Sequence, residues 1–208
     1  MNNNNLNIII KSCLFKENNA LNGAALYINS NSSIINKNNS TIDLIDTKFI
    51  KNKSNYFGGS IFVNYTNFKN VNMYNLEFTE NYAYAGGAIY INYFDNKNIL
   101  LNTENIIYTN NSAESYGNDY ATQPYIIKSK EKNERKELFS GDSLPLEFEL
   151  YDNFDQQIKD VSKIYSNIII NVVLDKENEY NDDDINMLQD NSCFFNEGKY
   201  IYILIIIN

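Results

Sequence analysis

The chain has 208 residues, of which 43% are hydrophobic, and it carries a formal charge of −9 at pH 7 without a single histidine. This length and apolar content suffice for one large or two small domains with packed cores. The negative charge and the lack of a basic run exclude the electrostatic footprint of a nucleic-acid-binding protein, so no nucleic-acid partner is expected. The absence of histidine excludes Ser/His/Asp and Cys/His nucleophilic sites and histidine-ligated metals, and no cofactor or metal site is predicted.

The N-terminal segment does not have the pattern of a signal peptide, because no basic residues precede the apolar stretch and Lys11 interrupts it. The longest apolar run, Tyr200–Ile207, is shorter than the roughly 20 residues that a membrane-spanning helix needs, so no transmembrane segment is predicted. Cys13 and Cys193 show no metal-ligand spacing and no small disulfide framework. Two buried apolar thiols are favoured over a bridge between them.

The first half of the chain repeats one motif. Three segments align, each with a phenylalanine, an asparagine three positions later and a glycine five or six positions after that, and a degenerate fourth begins with tyrosine. The aromatic anchors are Phe15, Phe49, Phe78 and Tyr108, the asparagines are Asn18, Asn52, Asn81 and Asn111, and the glycines are Gly23, Gly58, Gly59, Gly86, Gly87 and Gly117. Because the whole chain has only 8 glycines, their concentration in one slot is the most specific part of the motif.

Each glycine slot is followed by a short strand rich in β-branched and aromatic residues. Side chains alternate along a strand, so two aliphatic columns are expected to point inward when the repeats stack about 4.8 Å apart. These columns are Leu26, Ile61 and Ile89, and Ile28, Val63 and Ile91. The aromatic column of Tyr27, Phe62 and Tyr90 is expected on the other face, where flat rings could contact a sugar. A purely structural ladder is the favoured interpretation of that column.

The remaining motif positions are expected at corners. Glycine permits positive φ and close approach of adjacent repeats, where a Cβ would clash. Asparagine tolerates the left-handed conformation at a corner, and its amide can bond to its own backbone or to the asparagine of the next repeat. The β-branched composition and the missing 3.6-residue period disfavour a helical repeat.

The pattern F-x-x-N followed by G-G-A-[IL] resembles the repeats of chlamydial polymorphic outer-membrane proteins, and those of ciliate and other protist surface proteins with a pectin-lyase-like fold. Phe78–Ile91 match fully, the second repeat has one extra residue before Gly58, and the first has Ala24 in place of the second glycine. The resemblance covers about residues 6–122 and implies a right-handed parallel β-helix of about three to four coils. It further implies an extracellular or cell-surface location, a role in adhesion or as a stalk, and a cell-surface protein or glycan as partner. It carries no catalytic residues.

The composition changes after the repeats. Residues 1–122 are predicted to form the β-helix and residues 123–140 a linker or charged turn. Residues 141–208 resemble the start of an immunoglobulin-like β-sandwich, with an alternating strand at Leu144–Asp152, a turn at Asp152–Asp155 and another strand from Lys199. About four strands are visible where a full sandwich has about seven, so this domain is predicted to be partial. Since stacked repeats normally need capping units, the chain is hypothesised to be a piece of a larger surface protein.

The predicted function is a non-catalytic structural or adhesion segment of a cell-surface protein, and two alternatives stay open. The first is a carbohydrate-binding module that uses the aromatic column. The second is a polysaccharide hydrolase or lyase, because pectin-lyase-like folds also host such enzymes, and inverting glycosidases need two carboxylates ~6.5–9.5 Å apart. Acids in strand-like parts of the repeats could supply them: Asp43, Asp46, Glu77, Glu80 and Glu104.

Two observations argue against catalysis by this chain. Polygalacturonase-like enzymes also use a histidine, which is absent. Lyases of this fold commonly use arginine or lysine as base, and Arg135 lies outside the repeats. The acidic run at residues 175–184 could bind calcium. Without an ordered ligand spacing, a solvated loop is the favoured interpretation of that run.

Overall fold

A computed structural model describes residues 7–29, 41–64, 70–92, 101–130, 143–171, 187–189, 192–196 and 198–207. Within these ranges the protein is all-β, with parallel sheets and no helix. The chain divides into two compact units. The first unit consists of Met1–Tyr125 with Asp152–Gln156, and the second of Ile126–Tyr151 with Gln157–Asn208.

The strands of the first unit follow the sequence repeats. Repeat 1 contains β1 (Asn7–Lys11), β2 (Leu14–Lys16), β3 (Asn19–Asn22) and β4 (Leu26–Asn29). Repeat 2 contains β5 (Thr41–Ile45), β6 (Lys48–Ile50), β7 (Lys53–Phe57) and β8 (Ile61–Asn64). Repeat 3 contains β9 (Asn70–Thr79), β10 (Tyr82–Ala85) and β11 (Ile89–Ile91), and repeat 4 contains β12 (Leu101–Thr109), β13 (Ser112–Tyr116) and β14 (Tyr120–Thr122).

Equivalent strands of successive repeats pair in parallel and form three sheets. The first sheet has the order β1-β5-β9-β6-β2 with β12 beside β9, the second β13-β10-β7-β3, and the third β14-β11-β8-β4. The register places like residues opposite one another: Leu26 pairs with Ile61, and Ile61 with Ile89. The period read from the sequence is therefore a period in space, in which each repeat adds one layer to all three sheets.

The core of the first unit lies between these sheets. Both aliphatic columns predicted to point inward lie in it, with Ile61, Val63 and Ile91 at most 3% exposed. Full burial of one such side chain stabilises the fold by about 1.5–3 kcal/mol relative to exposure. In repeat 1 most inward positions, such as Leu26, are only partly buried although they pack against the same core, and Ile28 is 8% exposed. Burial is thus deepest in repeats 2 and 3.

The corners between strands use the left-handed conformation, but the asparagines do not adopt it as expected. Positive φ falls on the residue before each asparagine: Glu17, Lys51, Glu80 and Asn110. These four side chains are exposed, whereas the asparagines turn inward to reach the neighbouring repeat. A second column with positive φ contains Ser12, Asp46, Asn75 and Asn105, and the glycine column forms the third.

The remaining strands are β15 (Pro124–Ser129), β16 (Ser143–Asp152), β17 (Ile169–Asn171), β18 (Met187–Gln189), β19 (Ser192–Phe194) and β20 (Lys199–Ile207). They form a four-stranded sheet of order β15-β16-β20-β18 and a two-stranded sheet of β17 and β19. The β16–β20, β18–β20 and β17–β19 pairs are antiparallel. The turn expected at Asp152–Asp155 is present, closed by a 3.2 Å bond from the Asp155 amide to the Asp152 carbonyl.

The linker predicted for residues 123–140 is in part a strand. Pro124–Ser129 form β15, because Tyr125, Ile126 and Ile127 are strong strand formers that precede the charged stretch. Residues 131–140 of that stretch, and the acidic run at 175–184, lie outside the described residues.

Candidate functional site

The aromatic anchors of the motif form a stacked ladder through the core of all four repeats. The ring centroids of Phe15 and Phe49 are 5.2 Å apart, those of Phe49 and Phe78 4.7 Å, and those of Phe78 and Tyr108 5.4 Å. The rings are nearly parallel, and each such pair contributes about 0.5–1.5 kcal/mol beyond the area it buries. Burial, with the nearby Asp119 charge as a smaller cause, raises the pKa of the Tyr108 hydroxyl, which therefore stays protonated.

A second ladder is made of the motif asparagines. The Asn81 Oδ1 accepts two bonds from Asn52, one from its amide at 2.9 Å and one from its Nδ2 at 3.1 Å. The Asn81 Nδ2 in turn donates to the Asn111 Oδ1 at 2.9 Å and to the Phe49 carbonyl at 2.9 Å. Asn18 donates to Asn52 in the same way. Because Asn52 and Asn81 are fully buried, every bond in this ladder replaces solvation that the groups have lost.

The glycine slot locks adjacent repeats together. A Cβ on Gly59 would lie 2.0 Å from the Gly87 carbonyl oxygen, and one on Gly87 would lie 2.1 Å from the Asn118 carbonyl oxygen. The first glycine of each pair, such as Gly58 with φ of 64°, makes the left-handed corner itself. The two glycines therefore have separate tasks: the first bends the chain, and the second lets two backbones approach without a side chain between them.

The ladders end at repeat 4 on groups that the sequence did not single out. The Asn81 Nδ2 donates to the asparagine of the next repeat, whereas its equivalent, the Asn111 Nδ2, donates to the Asp119 carboxylate at 3.0 Å. The Asp152 carboxylate accepts bonds from the amides of Thr122, Phe154 and Gln156 at 2.9–3.0 Å. The Phe154 ring packs against the core of the first unit.

Asp152–Gln156 thus cover the repeat 4 end of the first unit. The motif gives no signal for this segment, which lies 30 residues beyond Thr122. Only the turn at Asp152–Asp155 was visible in the sequence, without its place in the fold.

The aromatic column proposed as ligand-facing is stacked, but it does not face solvent as expected. The Tyr27 and Phe62 rings lie 4.9 Å apart, and those of Phe62 and Tyr90 5.8 Å. Phe62 is 5% exposed and Tyr90 only 1%, whereas Tyr27 is 54% exposed. Phe57, which precedes the glycine corner, stacks on Tyr90 at 4.4 Å and covers the column. The alternation of the strand was read correctly, but its second face is buried as well.

Most of the five acids considered for catalysis are engaged with side chains of other repeats. Four bond a partner in the adjacent repeat: Asp43 with Asn72, Asp46 with Asn75, Glu77 with Lys48 and Glu80 with Lys51. The fifth, Glu104, is exposed. Among the described residues, no group of three or more Cys, Asp or Glu side chains is placed to hold a metal ion.

The prediction that both cysteine thiols are buried is wrong for Cys13, which is exposed. Its equivalent in repeat 2, Thr47, is fully buried because repeats lie on both sides of it. Cys13 lies on repeat 1, where the described residues provide such a neighbour on one side only. The Cys193 backbone pairs with Ile170, and its side chain lies outside the description.

The described residues include no helix with the length and hydropathy needed to cross a membrane. Comparisons of the chain with family models, with curated proteins and with solved structures found no match.

Proposed function

We propose that this chain is a non-catalytic structural or adhesion segment of a cell-surface or extracellular protein. In this proposal the three parallel sheets of the first unit are a short right-handed parallel β-helix, and the second unit is a partial immunoglobulin-like β-sandwich. The observation that carries the proposal is the pair of ladders, of stacked rings and of buried asparagines, that runs through all four repeats. The surface location is supported by the resemblance of the repeat motif alone.

The ladders support a mechanical role because they use the side chains of the motif for packing. The side-chain amide group and oxygen of Asn81 all form hydrogen bonds to neighbouring repeats, and Phe78 has no exposed surface. The surface acids pair with residues of adjacent repeats in the same way, as Glu77 does with Lys48 at 2.8 Å. The stability of stacked repeats is roughly a sum over neighbouring pairs, which suits a segment that must keep its shape along one axis.

Neither alternative gains a specific observation in its favour. A sugar platform made of the aromatic column would need three accessible rings, and only Tyr27 is exposed. A glycosidase would need two carboxylates that act on one substrate, and four of the five candidate acids are paired with lysine or asparagine instead.

The location can be tested on the cells that express the gene. Antibodies raised against the purified chain should label intact cells, and mild proteolysis of intact cells should remove that label. An intracellular marker in the same preparation should resist the protease. Labelling that appears only after permeabilisation would contradict the surface role.

The non-catalytic character can be tested separately. The purified chain should release no product from pectin or related uronans, and the Asp46→Asn variant should behave identically. Turnover by the parent chain that this variant loses would establish an enzyme. On a glycan array, binding that is lost in Tyr27→Ala would favour the carbohydrate-binding alternative.

A further inference from the structure

Six N-x-[ST] sequons occur in the chain, and an asparagine in such a sequon is the acceptor of N-linked glycans in secreted proteins. In a chain so rich in asparagine the motif alone does not identify a modified residue. Three of the asparagines lie in the described repeats: Asn52, Asn64 and Asn110. The other three, Asn31, Asn38 and Asn39, lie outside the described residues. The fold gives the three described asparagines very different surroundings.

Asn52 is a ladder asparagine and leaves no room for a sugar. Its side chain is fully buried, and its Nδ2 donates to the Asn81 Oδ1 at 3.1 Å and to the Phe15 carbonyl at 3.0 Å. Ser54, which completes the sequon, is buried too and donates its hydroxyl to the Gly58 carbonyl at 2.7 Å. A glycan on the Asn52 Nδ2 would replace one of the bonded protons and would have to pass through the adjacent repeat. The folded chain therefore excludes a glycan at Asn52.

Asn64 lies nearer the surface but also belongs to a ladder. Its Nδ2 donates to the Asn29 Oδ1 at 3.2 Å, and its Oδ1 accepts from the Asn92 Nδ2 at 3.2 Å. A glycan on the same nitrogen would crowd the Asn29 side chain that this bond holds. Asn64 is therefore a poorer site than an asparagine whose nitrogen is not used in this way.

Asn110 occupies an open position. It lies at the left-handed corner before β13, with φ of 52°, and its side chain is exposed and forms no hydrogen bond to another described residue. Ser112, which completes the sequon, is exposed as well. The equivalent corner residues of repeats 1 to 3 are charged and exposed: Glu17, Lys51 and Glu80. Side chains in this column thus extend into solvent, and of the four repeats only repeat 4 places an amide there.

We propose that Asn110 is the acceptor of an N-linked glycan, whereas Asn52, which matches the same motif, is not. In this reaction the Asn110 Nδ2 loses one proton and bonds to the anomeric carbon of a lipid-diphosphate-linked oligosaccharide. The anomeric C–O bond breaks, and the lipid diphosphate leaves. The inference rests on the proposed function, since a chain must be exported to meet such a donor.

A glycan at this corner is compatible with the ladder beside it. The next residue, Asn111, is buried and donates to the Phe78 carbonyl and to the Asp119 carboxylate, each at 3.0 Å. The corner therefore turns one of two consecutive asparagines into the core and the other into solvent. A sugar on Asn110 leaves every bond of the ladder intact.

The test secretes the full chain from a eukaryotic host behind a cleavable signal peptide, so that the acceptor is assayed independently of the native location. The secreted chain is denatured, and its glycans are released by peptide N-glycosidase in heavy-oxygen water. This enzyme converts each glycosylated asparagine to a labelled aspartate, which mass spectrometry of the peptides assigns to its position. The label should appear at Asn110 in most of the secreted chains and should be absent from Asn52.

Three variants examine the sequon without touching the ladder. Asn110→Gln removes the acceptor and Ser112→Ala removes the sequon hydroxyl, whereas Ser112→Thr retains a hydroxyl and is the matched control. The first two variants should each lose one glycan, seen as one step of electrophoretic mobility, and the threonine variant should keep it. Thermal unfolding of all three should stay close to that of the parent, because the substituted side chains are exposed.

An unlabelled Asn110 in the secreted chain would overturn the inference, and so would a labelled Asn52 in chains that unfold cooperatively. Failure of the proposed function gives a different result. Antibodies that label the native cells only after permeabilisation would reject the surface location, while the secreted chain would still show whether Asn110 accepts a glycan.

Discussion

Buried asparagines stabilise this fold because their amide groups match the spacing of parallel strands. Each side chain has two donors and one acceptor oxygen, and Asn81 places all of them on the adjacent repeats and on the Phe49 carbonyl. A buried polar group that loses its partner costs about 1–3 kcal/mol. The ladder therefore contributes to stability mainly because its loss would leave buried polar groups without hydrogen-bond partners.

Asn81→Ala should lower the free energy of unfolding by about 2–4 kcal/mol, because it removes the buried acceptor of the Asn52 amide and the bonds from the Asn81 Nδ2 to the Phe49 carbonyl and Asn111. The matched control is Asn64→Ala. Asn64 also bonds asparagines on both sides, Asn29 and Asn92, but near the surface, so its loss should cost about 1 kcal/mol or less. Equal losses for the two variants in urea unfolding would show that burial of the ladder is not what matters.

Gly87→Ala tests the second glycine of the slot. Its Cβ would meet the Asn118 carbonyl oxygen at 2.1 Å, and backbone on both sides leaves no flexible side chain that could give way. The expected cost is about 2–3 kcal/mol in thermal or urea unfolding. Ala24→Gly is the control, since repeat 1 already accommodates a Cβ there, and it should cost about 0.5–1 kcal/mol through chain entropy alone. A neutral Gly87→Ala would mean that the repeats separate easily at this corner.

At the residue scale the sequence predicts which residues form the ladders, but not how deeply the neighbouring side chains are buried. The spacing of phenylalanine, asparagine and glycine identifies which residues stack, because any parallel stacking of the repeats aligns them. The burial of Phe62 and Tyr90 could not be predicted from alternation, which assumes that one face of a strand meets solvent. It depends on Phe57, which the glycine corner folds over the column. The positions with left-handed backbone were not predicted for a related reason. Asparagine tolerates that conformation, but the side chains of the motif asparagines are needed inside for hydrogen bonds to the neighbouring repeats.

At the element scale, Asp152 fixes the segment that covers the repeat 4 end. Its carboxylate accepts bonds from the amides of Thr122, Phe154 and Gln156. Asp152→Ala should remove this support and cost about 2–4 kcal/mol. Hydrogen exchange at the Thr122 amide should accelerate more than exchange in β5, far from the change. Uniform acceleration throughout the first unit would instead indicate a global effect. The sequence could not identify this element because Asp152–Gln156 lie outside the repeat motif, and only the repetition of the motif indicates which distant positions come together.

A cluster of two glutamates on β16 and two lysines beside it should make the stability of the second unit depend on pH. Lys130 lies 2.7 Å from Glu149 and 3.0 Å from Glu147, and Lys199 lies 2.7 Å from Glu147. Bonds from Lys199 and then Lys130 hold the pKa of Glu147 below its ordinary value of 4.5. Burial acts to raise the pKa of Glu149, but bonds from Lys130 and Tyr151 outweigh it and leave this pKa lowered too.

A carboxylate whose pKa is lowered by folding contributes stability above its unfolded pKa and loses it as the pH falls through the folded pKa. The second unit should therefore lose stability as the pH falls below about 4.5. Lys130→Met should flatten this dependence, whereas Lys128→Met, which removes a lysine that lies over the Tyr151 ring, should not. Tyrosine fluorescence followed during thermal unfolding at a series of pH values gives the comparison. Parallel pH profiles for the parent and Lys130→Met would rule out this cluster as the cause.

At the scale of the whole repeat array, stability should increase from repeat 1 towards repeat 3. Stacked repeats gain stability mainly from their neighbours, and repeat 1 has a described neighbour on one side only. Its inward residues other than Ile28 are only partly buried, whereas Phe49 and Phe78 have no exposed surface. Repeat 4 is also terminal, but Asp119 and Asp152–Gln156 satisfy its end. The array should therefore open from repeat 1.

Hydrogen exchange followed by mass spectrometry can measure this gradient in the intact chain. Amides of β2 and β3 that bond to repeat 2 should exchange about 10–100-fold faster than the equivalent amides of β6 and β7, which lie in the same sheets. The reason is that local opening of repeat 1 exposes the amides of β2 and β3 without global unfolding. Equal protection in repeats 1 and 2 would mean that the array unfolds as one unit, and the difference in burial between its layers would then have no energetic consequence.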